Sequence, residues 1–354
     1  MKGSPSTYFA AEPVGSIAPR LIELVNDCFD FSFSSGRTTK IRKSHAVYNG
    51  CTVNNTGSVS WDVIRGGEQG ELLQSVENHY RNIAQNLLTL ITAQRPAIQC
   101  QAANTDYKSL AQTILGNGII DYYLSQRSIE DVIKRAVKNA IVLSEGYVKV
   151  DWDVNAGEPY MAHPEGLGEV KTGDIRFTAY GPLDIVRDEH ADSYAQLNWL
   201  ILRSWQSKFE LAARYPELKD RIIFLDSTSE RERERRVDFG RRSAETDLIP
   251  VYEFFHKRTA SIPDGRYTIF LSDELVLFDG PLPYADIPVY RIVPDEIEGT
   301  AFGYTPMFDL LGPQDIINAI DTSIITNELG RGIGNVMIPR AANISVEAIS
   351  SSMN

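Results

Sequence analysis

The clearest cluster of potentially reactive side chains in this chain is the run Asp188-Glu189-His190-Ala191-Asp192. On an extended segment Asp188, His190 and Asp192 project to one face, as ligation of a hard cation or of zinc would want. A metal held there would make the protein a metal-dependent nucleic-acid enzyme, a nuclease for instance. A polar turn between two strands explains the same residues more simply, because no second cluster stands elsewhere in the chain to complete a coordination shell. Catalytic, metal and cofactor sites are therefore assigned to none of its residues.

Other candidates for chemistry fare no better. The remaining histidines, at 45, 79, 163 and 256, are scattered, and Cys28, Cys51 and Cys100 have spacings that fit neither a zinc site nor a disulfide framework. They read as buried thiols of a reducing compartment. Gly330, Gly332 and Gly334 follow a helix, whereas a dinucleotide loop follows a strand and opens a helix, so they suit a turn with positive backbone angles. The phosphate loop, the zinc-protease pair of histidines, the nucleophile elbow and paired C-x-x-C motifs are all missing from the sequence.

The whole chain has 354 residues, 43% of them hydrophobic, with a net charge of −12, which describes a folded protein that does not hold DNA by neutralising phosphates. Any DNA partner must be loosely held. The segment SERERERRVDFGRR, from Ser229 to Arg242, alternates its charges, and Glu230, Glu232 and Glu234 break up the arginines. It reads as a solvated loop or exposed helix rather than a phosphate patch. No stretch approaches the apolar length that spans a bilayer, so no membrane association is expected.

The elements that would position these residues follow from periodicity. Apolar spacings of three and four predict a helix over residues 16–33, then a polar, irregular segment, then a longer helix from about Leu72 to Leu90 ended by Pro96. Residues 97–103 read as extended. Further helices are predicted from Asn104 or Thr105 through Tyr123, and from Ser128 through Val142. At Gly146 the period changes to two, and a β-rich part follows, with strands near 147–152, 175–177, 183–186, 199–202, 250–256, 267–271 and 274–278 and a short helix from Ser207. A last helix covers Pro306 to Leu329, interrupted or kinked at Gly312-Pro313.

Several of these segments together resemble the portal proteins of tailed bacteriophages, the podovirus type above all. The likeness runs from about Glu77 to Pro339. It rests on RNIAQNLLTLITAQRPAIQCQA, on LSEGYVKVDWD after the helix from Ser128, on GDIRFTAYGPLDIVRDEHAD, on WQSKFELAARYP, and on IPVYRIVPDEIEGTAFGYTPMFDLLGPQDIINAIDTSIITNELGRGIGNVMIP. In the third of these, Asp188-Glu189-His190-Ala191 departs from the family's usual Asp-Pro. The resemblance implies an α+β portal fold. Residues 1–304 would form a mixed helix and strand wing, 305–330 the first stem helix and 331–354 the start of the clip. A second stem helix, a tunnel loop and a crown are expected beyond Asn354.

The same resemblance implies a non-enzymatic role. Copies would close into a homo-oligomeric ring, usually of twelve subunits, at one capsid vertex of the virion, assembled in the host cytoplasm. The ring would dock the terminase large subunit, meet capsid and scaffolding proteins and later a head-to-tail adaptor or tail proteins. Double-stranded DNA would pass through it without sequence recognition during packaging and ejection. Another head-to-tail adaptor is the second structural reading.

The last helix offers a check on that role from its own composition. Between Thr305 and Leu329 stand Asp309, Asp315, Asp321 and Glu328, and no Lys or Arg. Gln314, Asn318, Asp321 and Glu328 fall at offsets that make one polar stripe, and Leu310, Ile317, Ile320 and Ile324 an apolar one. The expectation is that Gln314, Asp315, Asn318, Asp321 and Glu328 line a channel or a subunit interface, repelling phosphate at close range, and that one face of the helix packs on a neighbouring subunit while another meets water.

Overall fold

The computed structural model describes residues 8–53, 59–60, 77–93, 99–126, 129–154, 156–162, 169–225 and 247–331. Ile17, Leu21, Val25 and Phe29 recur every fourth residue, and this stripe is the buried face of the first helix, α1 (Val14–Ser34). Gly36, with φ of +74°, turns the chain into α2 (Arg37–Tyr48). This second helix lies where the periodicity predicts irregular structure. It escapes an apolar-period test because it buries small polar residues: Ser44 donates to the carbonyl of Val142 and shares a hydrogen bond of 2.6 Å with the Tyr80 hydroxyl.

A short pair of strands, β1 (Thr52–Val53) and β2 (Val59–Ser60), precedes α3 (His79–Thr92), whose start is capped by Asn78 accepting from the Arg81 amide. The expected earlier turns of this helix, around Leu72 and Val76, lie outside the described residues, as do 94–98 of the expected extended segment. α4 (Tyr107–Gln126) and α5 (Ile129–Leu143) follow as the sequence predicts.

Strands then dominate. β3 (Gly146–Asp153) is the centre of a three-stranded antiparallel sheet, flanked by β6 (Asp174–Tyr180) and by β12 (Val289–Ile292). The antiparallel pair β4 (Pro159–Ala162) and β5 (Glu169–Lys171) lies between the strands expected near 147–152 and 175–177. β7 (Ile185–Arg187), β8 (Trp199–Ser207), β9 (Leu248–His256), β10 (Arg266–Phe270) and β11 (Val276–Gly280) make a second antiparallel sheet in the order β11-β10-β9-β8-β7.

That five-stranded sheet is the middle layer. Trp199 and Ile201 of β8 face α1 together with Tyr252 and Phe254, whereas Leu200 and Leu202 face the three-stranded sheet with Phe255, Tyr147 and Val289. A strand buried on both faces loses the polar alternation that marks one solvated side. Two short helices, α6 (Lys208–Arg214) and α7 (Lys219–Ile223), cap the sheet's far end over Ile249, Val251 and Leu271. The charged segment 229–242 lies outside the described residues.

The small pair β13 (Asp295–Glu296) and β14 (Gly303–Tyr304) leads to a 3-10 turn (Pro306–Leu310) and to α8 (Leu311–Arg331). Pro313 does not kink this helix midway. It is the third residue of α8, where its missing N–H has no helical acceptor to lose, and the irregularity falls at the 3-10 junction just before it. Gly332, Gly334 and the segment read as the start of a clip lie outside the described residues. The protein is thus a mixed α+β fold, helical up to residue 143 and strand-rich from 146 to 304.

The crossing of α5 and β3 is the tightest point of this arrangement. A Cβ placed on Gly146 would lie 1.8 Å from the carbonyl oxygen of Ala136, whereas one placed on Gly118, within α4, meets nothing within 4 Å. Gly146→Ala is therefore expected to cost more than ~3 kcal/mol, since backbone on both sides must shift. Gly118→Ala is expected to gain about 0.5–1 kcal/mol through helix propensity. Urea unfolding of the two variants measures both, and the contrast is the prediction.

Candidate functional site

Of the residues singled out on the last helix, Gln314 and Asp315 are held by neighbouring helices, and the others meet different surroundings. Gln314 is buried: its Oε1 accepts from the Tyr80 amide at 3.0 Å, and its Nε2 donates to the Glu77 carbonyl at 2.6 Å and to Asn318 Oδ1 at 2.9 Å. It is an internal clamp between α8 and the start of α3, not a lining residue. The reason is that the first amides of a helix have no intrahelical acceptor. Asn78 satisfies Arg81, and Gln314 satisfies Tyr80.

The stripe continues inward through half-buried Asn318 and buried Thr322. Asp321 is half-buried, and Glu328 is exposed. Asp315 pairs at 2.5 Å with Lys43 of α2 across a half-exposed surface, a contact worth at most about 1 kcal/mol. The apolar positions of the helix face outward from the subunit. Ile316, Ile320 and Ile324 are 61%, 53% and 53% exposed, and Ile317 and Ile325 are also open to solvent. Among the described residues nothing covers this apolar face of α8. Leu90 and Ile91 of α3 and Ile114 and Leu115 of α4 are uncovered in the same way.

What sets the direction of α8 lies at its approach. Ser144, with φ of +81°, breaks α5 sharply into β3, and the next residue, Glu145, is wholly buried. Its Oε1 accepts from Arg187 Nη2 at 2.7 Å and from the Gly303 amide. Its Oε2 accepts from Arg37 Nη2 and from the Tyr147 hydroxyl, each at 2.9 Å. Arg187 also donates to the Tyr147 hydroxyl, and Arg291 stands 3.6 Å from Oε1. Arg37 and Arg187 also lie over the ring of Phe302, with guanidinium carbons 4.7 and 4.6 Å from its centroid.

One carboxylate thus ties α2, β3, β7 and β12 to the strand that enters α8. Burial alone would raise the Glu145 carboxyl, but Arg187 and Arg37, with the hydrogen bonds of Arg187 and Gly303, reverse this and bring it down to about 2. Gly303 is obligatory there, because a Cβ would lie 2.6 Å from Glu145 Cγ. Glu145 is not among the candidates that residue type and spacing single out. The available signal is a lone acid between the apolar runs Ile141-Val142-Leu143 and Tyr147-Val148.

The Asp188 to Asp192 run forms a turn after β7, in which Asp188 Oδ1 accepts from the His190 amide at 3.0 Å. Glu189 leans instead toward Cys28 of α1. Burial, then the charges of Asp27 and Asp188, carry its carboxyl up to about 7 against the opposing contacts of Cys28 and His190. Among the described residues no three His, Cys, Asp or Glu side chains gather as metal ligands, and no helix is long and apolar enough to cross a membrane. No family model matches the chain, and no curated protein matches its sequence.

Two opposed pH dependences follow. Glu145 has a folded pKa below its unfolded value, so its contribution is complete above about 4.5 and is lost as pH falls toward 2. Glu189 has a folded pKa above its unfolded value, so its contribution is complete below about 4.5 and is lost as pH rises through about 7. Denaturant unfolding across pH is expected to show Glu189→Gln flattening the neutral limb. Glu145→Gln is expected to cost about 3–5 kcal/mol near pH 6 and to remove the acid limb, because it strands buried arginines without their counter-ion.

Proposed function

We propose that this chain is a portal protein of a tailed bacteriophage, a subunit of a ring that surrounds a DNA channel at one capsid vertex. The observation that carries the reading is the orientation of α8. Its polar stripe is used up inside the subunit by Gln314, Asn318 and Thr322, and the isoleucines opposite are left for a neighbour. A head-to-tail contact repeated by a rotation that closes makes a ring, and a helix docked rigidly on one side with an apolar strip on the other is suited to it.

Four further sequence segments resemble those of portal wings, and the acids of α8 suit a wall along which phosphate slides. Asp315 and Glu328 stand at the surface of that helix, and Asp321 and Asn318 at its margin. In this reading the chain hydrolyses nothing and takes no cofactor. A separate terminase large subunit drives packaging through the ring, capsid and scaffolding proteins hold its outer side, and an adaptor or tail proteins join it later in the virion.

The test is assembly of the purified chain, followed by mass photometry and negative-stain imaging. Rings with a central hole are expected. Ile320→Asp with Ile324→Asp is expected to leave folded monomers with unchanged circular dichroism, whereas Gln314→Ala is expected to lower the thermal midpoint by several degrees. A chain that stays monomeric at high concentration, with Ile320 and Ile324 intact, overturns the reading.

A further inference from the structure

α4 leans on the rest of the subunit by one face. Half-buried Ile120, Tyr123 and Leu124 form it, the Tyr123 hydroxyl donates to Asp174 at 2.7 Å, and the Tyr123 ring meets that of Phe177. The opposite face carries Leu110, Ile114, Leu115, Ile119 and Tyr122, with Ile114 and Leu115 74% and 65% exposed. None of the described side chains of α4 is buried. A helix is held in a protein mainly by packing of its apolar face, and this one finds no cover for that face among the described residues.

The open face has a groove along it. Ala111 and Gly118, both exposed, follow its middle line, with Leu110 and Ile114 on one side and Leu115 and Ile119 on the other. A Cβ on Gly116 would meet the Cys100 sulfur at 2.9 Å, so that glycine serves a contact within the subunit. One on Gly118 meets nothing within 4 Å, although glycine costs a helix about 1 kcal/mol. On α8, Ile316, Ile320 and Ile324 make a ridge at intervals of four, the spacing that seats between such rows on another helix.

We propose that the groove of α4 receives the isoleucine ridge of α8 from the next copy of this chain. This rests on the ring reading and supplies its second half. An α8 strip that met itself would close at two copies, whereas a ring needs two different patches on each subunit. Run antiparallel, the helices bring Glu328, one turn past Ile324, to Lys108 at the start of α4, and neither residue has an ion pair among the described residues. Asp121, the acid of α4, then lies at the opposite end, toward Lys43 beside Asp315. The two strips together expose on the order of 1,000 Å², about the least that a stable interface buries.

The test is sedimentation velocity on the full chain and its variants. Ile320→Asp with Ile324→Asp removes the ridge and keeps the groove, and Leu115→Asp with Ile119→Asp removes the groove and keeps the ridge. Each variant alone is expected to stay monomeric. A one-to-one mixture of the two is expected to form dimers that grow no further, because one intact ridge meets one intact groove. A groove variant that still closes rings overturns the proposal and leaves the ring reading standing, whereas an unaltered chain that stays monomeric overturns both. A mixture that stays monomeric overturns the proposal as well. Gly118→Leu, which adds bulk where the described subunit has open space, is expected to keep the circular dichroism and to weaken assembly at least about tenfold. A Gly118→Leu chain that assembles like the unaltered one, or that loses thermal stability without any change in assembly, overturns the proposal, because the groove is then not the seat of α8.

Discussion

The burial of a single carboxylate organises this protein. Glu145 sits at the point where a helix becomes a strand, and it is removed from water at a cost that only close, well-directed cations can offset. Its partners come from α2, from β7 and from β12, and a backbone amide comes from the segment leading to α8. The helical part of the chain, the two sheets and the last helix therefore meet through one ionic group. Moving any one of them exposes a charge to a low-dielectric interior.

The position of α8 follows from this junction and from a second, neutral one. Gly303 and Phe302 are held by the ionic cluster, Thr305 donates to the Ile141 carbonyl, and Gln314 closes the open end of α3. These contacts use the polar residues of the helix and leave Ile316, Ile320 and Ile324 outward. An apolar strip on a rigidly docked helix is the feature through which the fold and the proposed assembly are connected. Charge repulsion along a channel is secondary, since screening confines it to roughly 8 Å at physiological salt.

Much of the architecture was legible in the residue pattern. α1 and α5 have the periodicity expected of them because one face of each is apolar and the other is not, and the strands of the middle sheet show as apolar runs because both their faces are buried. α2 was not legible. Its buried face carries Thr38 and Ser44, whose fitness for the interior depends on partners far away in the chain, such as Val142 and Tyr80. The arginines of the ionic cluster were equally silent, since a lone Arg in a sequence reads as surface until its counter-ion is known.

What the sequence by itself determined is the local character of each segment: an α+β chain, helices before strands, an acidic last helix with two stripes, and no familiar catalytic motif. Tertiary structure alone decided which stripe of that helix faces inward. Amphipathicity establishes that two faces differ, but not which environment each will meet. Here the Tyr80 amide, which has no acceptor within its own helix, and the Glu77 carbonyl decided it, by giving Gln314 partners that no isoleucine could satisfy.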